Sequence, residues 1–101
     1  MTDLGKQRRE YLRWLIILTL NNARPYPSGE GPILSVAQAE LPDATAHEIR
    51  RELAYLEGRK LALVAREPSG PWRAKLTHTG IDFAEYTIDC QPGIARPVKY
   101  W

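Results

Sequence analysis

The chain has 101 residues, of which 44% are hydrophobic and 26% are charged. This length and composition predict a soluble globular protein, with one domain over residues 1–101 built around one hydrophobic core. The formal net charge of +2 is too small to indicate a nucleic-acid partner by itself. No apolar run approaches the ~20 residues that span a bilayer, and no secretory cleavage site is visible. We therefore expect no membrane partner and a cytoplasmic location.

The charge is unevenly distributed along the chain, although its sum is small. Residues 25–58 carry six acidic and two basic side chains, whereas residues 59–78 carry one acidic and five basic. Residues 1–24 are also basic, with a net charge of +3. We therefore expect the basic surface to be formed by residues 1–24 and 59–78 and not by residues 25–58.

The N-terminal segment, residues 1–22, contains a predicted helix over residues 3–22. Its second half is apolar on every side and must therefore be covered on every side. One interpretation is a homodimer contact that covers one face, and the alternative is a core helix covered by its own chain. The side chains assigned to a dimer or partner interface are Trp14, Ile16, Ile17 and Leu20, with the terminal aromatic residues Tyr100 and Trp101.

A connector over residues 21–32 follows, with three prolines and two glycines. This composition disfavours both helix and strand, so we predict an irregular segment. Pro32 suits the first position of a second helix over residues 33–41, because the missing N–H would have no partner there. A turn at residues 42–44 ends this helix.

The stretch 45–58 predicts a third helix. Thr45 and Glu48 form a capping-box pattern, and apolar residues recur every three or four positions. Gly58 is predicted to end the helix, because glycine adopts the left-handed conformation at little cost. Two helices joined by a short turn make residues 33–58 a predicted helix-turn-helix.

Residues 61–76 predict a β-hairpin, with strands over 61–66 and 72–76 separated by a turn rich in proline and glycine. In the second strand, apolar and basic residues alternate, which predicts one buried and one exposed face. Residues 77–87 predict a last helix, and residues 88–101 an irregular tail.

Two short motifs carry a family resemblance. The segment Ile49-Arg-Arg-Glu-Leu-Ala-Tyr-Leu-Glu-Gly-Arg-Lys-Leu61, the hairpin, and Leu76-Thr-His-Thr-Gly80 resemble the pattern of MarR- and ArsR-type winged-helix regulators. In that pattern a recognition helix ends near a Leu-x-x-Leu pair, a wing follows, and Leu-Thr-x-x-Gly opens the next helix. The resemblance implies a mainly α fold with a small β-hairpin (α+β), in the order three helices, two strands, helix and tail.

The tail, residues 86–101, also resembles that of small winged-helix proteins encoded in Mu-like prophages. The chain departs from the MarR pattern because it lacks the long terminal helices that build the dimer in that family. It departs from ArsR-type metal sensors because it has one cysteine and two distant histidines. We therefore expect no metal site and no cofactor.

The resemblance implies binding to double-stranded DNA, with the recognition helix in the major groove and the wing on the backbone. The basic residues would contact phosphates or guanine edges. The alternative is that Arg50 and Arg51 only pair with neighbouring glutamates on a solvated helix face. The candidate DNA-binding residues are His47, Arg50, Arg51, Tyr55, Arg59, Lys60, Arg66, Arg73 and Lys75.

A second hypothesis is a protein-interaction or assembly role on the same scaffold, with a phage packaging or morphogenesis factor or a host protein as partner. An enzyme is not expected. His47 and His78 are isolated histidines, Cys90 has no partner cysteine, and no glycine-rich phosphate loop is present.

Overall fold

The computed structural model describes residues 4–99, which form four helices and a three-stranded antiparallel sheet. The elements follow the order of a winged helix-turn-helix, so the predicted fold class is confirmed. The helix Ala46–Gly58 occupies the position of the recognition helix in this fold, and the strands Ala62–Ala65 and Arg73–Leu76 form the wing together with their loop. In chain order the elements are α1 (Leu4–Ala23), β1 (Ser28–Gly29), α2 (Glu30–Glu40), α3 (Ala46–Gly58), β2 (Ala62–Ala65), β3 (Arg73–Leu76) and α4 (His78–Ala84).

The connector contains a strand, so the prediction of an irregular segment was wrong there. Ser28 and Gly29 form β1 and pair with Ala74 and Arg73 of β3, which gives the strand order β1-β3-β2. Pro27, immediately before the strand, has no N–H to donate to a longer ladder, and α2 begins directly after Gly29, so the strand has only two residues. A third strand is thus added to the predicted hairpin.

The second helix begins earlier than predicted. Gly29 is the N-cap of α2, and the backbone N–H of Glu30 donates to the Trp72 carbonyl oxygen at 2.9 Å. Pro32 is therefore the third residue of the helix and not the first. It is accommodated there because the N–H groups of the first turn have no intrahelical partner.

The apolar half of α1 lies in the core of its own chain. The exposed fraction is 4% for Trp14, 0% for Ile16 and Ile17, and 1% for Leu20. The dimer contact assigned to these four residues is therefore corrected, because nothing of their surface is left for a second subunit. Tyr100 and Trp101 lie outside the described residues. No helix within residues 4–99 is long and apolar enough to cross a membrane.

The capping box at the start of α3 is confirmed, since the Thr45 hydroxyl accepts from the Glu48 N–H and the Glu48 carboxylate from the Thr45 N–H. The helix end differs from the prediction. The left-handed residue is Lys60, with φ 62°, and Gly58 is the last helical residue. The N–H groups of Lys60 and Leu61 donate to the carbonyls of Glu57 and Leu56. These bonds define a Schellman motif.

The position of the helix end predicts two stabilising substitutions. Lys60→Gly removes the cost of a side chain in the left-handed region and should raise the free energy of unfolding by about 1 kcal/mol. Gly58→Ala places alanine in the helix, where the added Cβ meets open space, and should raise it by roughly 0.5–1 kcal/mol. Urea unfolding measures both. A loss of stability in Gly58→Ala would mean that the helix ends at Gly58 instead.

The last helix is shorter than the predicted 77–87. The Thr77 hydroxyl accepts from the Gly80 N–H at 3.0 Å and caps α4, which ends at Ala84 shortly before Tyr86 turns to a φ of 64°. A Cβ at Gly80 would overlap the carbonyl oxygen of Leu61. The Leu-Thr-x-x-Gly motif thus has a structural reason: it caps α4 and lets the helix lie directly on the chain that leaves α3.

The described part of the tail, residues 88–99, has no helix or strand, as predicted, and is fixed to the domain at several points. Ile94 is 4% exposed and belongs to the hydrophobic core. The backbone N–H of Ala95 donates to the Glu10 carbonyl oxygen of α1 at 3.1 Å. The guanidinium of Arg96 donates to the carbonyls of Phe83 and Ile88.

Candidate nucleic-acid interface

The outer face of α3 and the wing border a surface groove, called here the α3–wing groove. It is lined by His47, Arg50, Arg51, Ala54 and Trp72. The first four lie at spacings of three and four along α3 and therefore share one helix face. They belong to the N-terminal two-thirds of the helix, while Trp72 comes from the residue before β3.

The nine side chains predicted to bind DNA do not form one surface. Four lie at the groove or against its Trp72, namely His47, Arg50, Arg51 and Arg66. Tyr55 and Arg59 lie against the tail, and Arg73 and Lys75 lie on the opposite face of the sheet. Lys60 lies just beyond the end of α3.

Arg50 is held by Glu30, at the start of α2, rather than by a glutamate of its own helix. Its Nε and Nη2 donate to the two carboxylate oxygens at 2.7 and 2.8 Å. The pKa of Glu30 is lowered, chiefly by Arg50 and to a smaller extent by the nearby backbone of Trp72. The Arg50 guanidinium lies 5.1 Å from the centre of the Trp72 ring. Glu30 therefore joins α2 to α3 through its carboxylate and α2 to the wing through its backbone N–H, which donates to the Trp72 carbonyl oxygen.

Arg66 also contacts the Trp72 ring. Its guanidinium lies 4.5 Å from the centre of the Trp72 ring and donates to both oxygens of Glu57, at 3.1 and 2.8 Å. The pKa of Glu57 is lowered, chiefly by Arg66 and to a smaller extent by the nearby backbone of Val64 in β2. We call the series Glu30, Arg50, Trp72, Arg66 and Glu57 the wing ladder.

Arg51 is the more open arginine of the groove. Its Nε donates to Glu52 at 3.0 Å, and its side chain is 52% exposed. Glu52 is only 1% exposed and also accepts from the Nε of Arg13 at 2.8 Å. This buried carboxylate was missed in the sequence, where it was placed among the solvated glutamates. Its spacing of three from Ile49 and four from Leu56 was the available signal.

The tail covers the C-terminal part of α3. Arg59 donates to the Tyr55 hydroxyl at 2.6 Å, to the Pro92 carbonyl oxygen at 3.1 Å and to Gln91 at 3.1 Å. Gly93, with φ 93°, sits so close to Tyr55 that a Cβ would overlap the hydroxyl. Tyr55 and Arg59 therefore contact the tail, although they were predicted to bind DNA.

Arg73 and Lys75 extend from the exposed face of β3, whereas Ala74 and Leu76 are buried, as the alternating pattern predicted. Neither cation makes an ion pair or side-chain hydrogen bond within residues 4–99. Arg66 and Trp72 contact each other on the side of the wing that faces α3. Arg73 and Lys75 therefore lie on a different side of the sheet from the groove.

Metal-binding groups are not clustered in the described structure. Within residues 4–99, no three His, Cys, Asp or Glu side chains are placed to share a metal ion. His47 is exposed on α3, and His78 is exposed at the start of α4. The expectation of no metal and no cofactor stays a prediction.

The comparisons with known proteins concern the fold. No protein-family model matches the chain, and no curated protein matches it. The solved structure of a candidate DNA-binding protein from Ralstonia eutropha JMP134 is similar, with a TM-score of 0.63 and 24% sequence identity. The match covers 77% of this chain and 95% of that chain. At this identity the likeness supports the winged-helix arrangement and does not carry a function over.

The wing ladder predicts a loss of stability in acid. Because the folded state lowers the pKa of Glu30 and Glu57 below the ordinary 4.5, their contribution is complete above that pH. It is lost as the pH falls through the lowered values. The double variant Glu30→Gln, Glu57→Gln should be less stable than wild type at pH 7 but lose less stability on acidification.

Urea unfolding at about pH 7 and about pH 3.5 measures this difference. Glu67→Gln is the matched control, because Glu67 is exposed in the wing loop and has no polar partner in the described structure. The control should keep the wild-type pH dependence. An unchanged pH dependence in the double variant would contradict the assigned role of the ladder.

Proposed function

We propose that the protein binds duplex DNA through the α3–wing groove, with α3 in the major groove and the wing against the neighbouring backbone. The supporting observation is which part of α3 is open. The tail covers Tyr55 and Arg59, whereas His47, Arg51 and Ala54 are exposed. A recognition helix contacts base edges mainly through its N-terminal residues, and this is the part left accessible.

The two groove arginines have different roles in this proposal. Arg51 uses only its Nε for Glu52, so both terminal nitrogens are available to a phosphate or a guanine edge. Arg50 uses its Nε and Nη2 for Glu30 and keeps Nη1 for DNA. Arg51 is therefore the main contact, while Arg50 is a positioned secondary contact. The exposed imidazole of His47, one turn earlier, adds a hydrogen-bonding group.

The charge of the groove predicts modest affinity for DNA. Arg50 and Arg66 are each paired with a carboxylate, and Arg51 shares Glu52 with Arg13. Few cations remain to neutralise phosphates. If about two or three are neutralised, log K should fall with log salt at a slope of roughly −2 to −3, far below that of a strongly basic domain.

In this proposal the protein is a non-enzymatic, transcriptional regulator-like or phage DNA-associated protein of the cytoplasm, without a cofactor. The MarR- and ArsR-like motifs in its sequence favour this role. Homodimer formation would give two grooves on a two-fold site, as in other helix-turn-helix dimers. The buried residues of α1 do not provide the contact for such a dimer.

The direct test is fluorescence anisotropy with a generic 20-base-pair duplex at about 50 and 200 mM salt. Arg51→Ala should weaken binding by about tenfold at the lower salt and reduce the salt slope by about one. Lys75→Ala is the matched control, because it removes one positive charge from the opposite sheet face. It should change affinity by less than about twofold.

Two results would contradict the proposal. One is the absence of measurable binding at about 50 mM salt, where phosphate contacts are strongest. The other is an equal loss of affinity in Arg51→Ala and Lys75→Ala, which would show that any cation on the surface contributes alike. Circular dichroism of both variants checks that the fold is unchanged.

A further inference from the structure

The outer face of the sheet is unusually apolar for a solvated surface. The exposed side of an antiparallel sheet normally carries polar residues. Here the outward residues of β2 are Leu63, which is 53% exposed, and Ala65. Tyr26, which is 73% exposed, lies in the connector between α1 and α2 and borders the same surface. We call this surface the outer sheet face.

Two adjoining depressions make up the outer sheet face, and both include Leu63 and Lys75. The first extends along the strands to Arg73 and is bordered by Pro27. The second extends toward α4 and reaches Ile81. The two therefore form one continuous surface with an apolar floor, long enough to receive several side chains of a partner.

The charge of this surface has a single sign. Arg73 and Lys75 have no carboxylate partner within residues 4–99, and no Asp or Glu lines either depression. Arg24, at the far edge, is partly neutralised by Glu85 at 3.5 Å. Residues two apart on a strand are about 6.6 Å apart, so Arg73 and Lys75 match carboxylates one helical turn apart.

We propose that the outer sheet face binds an acidic amphipathic helix of a partner protein. Apolar side chains of that helix would pack on Leu63 and Tyr26, and its carboxylates would pair with Arg73 and Lys75. A helix packed on a sheet is a common way to cover an apolar sheet face. This surface lies on the other side of the sheet from the α3–wing groove, so the proposal does not depend on DNA binding.

A second copy of the chain is a poorer occupant on the same evidence. Two outer sheet faces placed against each other would bring both pairs of unpaired cations together, and like charges in contact are unfavourable. DNA would satisfy the cations but leave Leu63 and Tyr26 without an apolar contact. An acidic amphipathic helix satisfies both features.

The test uses two synthetic 18-residue peptides with the same leucine stripe, one flanked by glutamates and the other by lysines. Fluorescence polarisation with the full chain should show binding of the glutamate peptide and none of the lysine peptide. Lys75→Glu should weaken the glutamate peptide by about tenfold or more, because it replaces an attraction with a repulsion.

Two control variants separate this site from the rest of the molecule. Arg9→Glu makes the same change of charge on α1 and should leave peptide affinity within about twofold. Arg51→Ala, which tests DNA binding, should not affect the peptide. Failure of the DNA proposal and failure of this one are therefore distinguishable.

Three results would overturn the proposal. The first is equal binding, or no binding, of both peptides. The second is a dimeric mass in sedimentation that Leu63→Asp converts to a monomer, which would assign the face to a second copy. The third is a tenfold loss of duplex affinity in Arg73→Ala, Lys75→Ala, which would assign it to DNA.

Discussion

The pairing of Glu30 with Arg50 is the contact on which the candidate interface depends. Ala74 and Leu76 of the wing are buried in the core, whereas Arg66 and Trp72, nearer the wing loop, need a further contact to keep a fixed distance from α3. Here Glu30 binds the guanidinium of Arg50 through its carboxylate and the Trp72 carbonyl oxygen through its backbone N–H, and the indole of Trp72 contacts both Arg50 and Arg66. The same ladder pairs Arg50 and Arg66 with carboxylates and so reduces the positive charge available to DNA phosphates. In the proposed complex, the ion pairs that fix the wing leave fewer cations for phosphates, which favours a modest affinity for DNA.

A second constraint divides α3 along its length. Glu52 is buried, and a buried carboxylate is strongly destabilising unless it is paired. Arg13 of α1 pairs with it and also donates to the Gly93 carbonyl oxygen at 2.9 Å, so the tail is fixed beside the same ion pair. The guanidinium lies 3.5 Å from the centre of the Tyr55 ring. The C-terminal part of α3 thus contacts α1 and the tail, and its N-terminal part remains accessible to a partner.

The sequence was sufficient for features that local chemistry determines. The capping box at Thr45, the apolar stripe of α3 and the alternation of β3 all follow from periodicity, and the structure has them. The sequence was insufficient where the partner of a side chain is a residue far away along the chain. The alternative considered for Arg50 was a glutamate of its own helix, but a glutamate twenty residues away is its partner. The apolar half of α1 was assigned to an interface because residues that cover it, such as Phe83 and Tyr86 against Trp14, are far away in sequence. Likewise, nothing local shows that Tyr55 and Arg59 face the tail.

The central claim is that partners meet the N-terminal part of α3 and the wing groove, while the outer sheet face stays free for a different partner. An amide NMR titration of the labelled protein with a generic duplex at low salt tests this claim most directly. The account predicts shift changes concentrated in residues 46–54 and at Trp72, with residues 63–65 and 73–75 unchanged. Changes centred on residues 63–65 and 73–75, or on the tail residues 91–94, would contradict it.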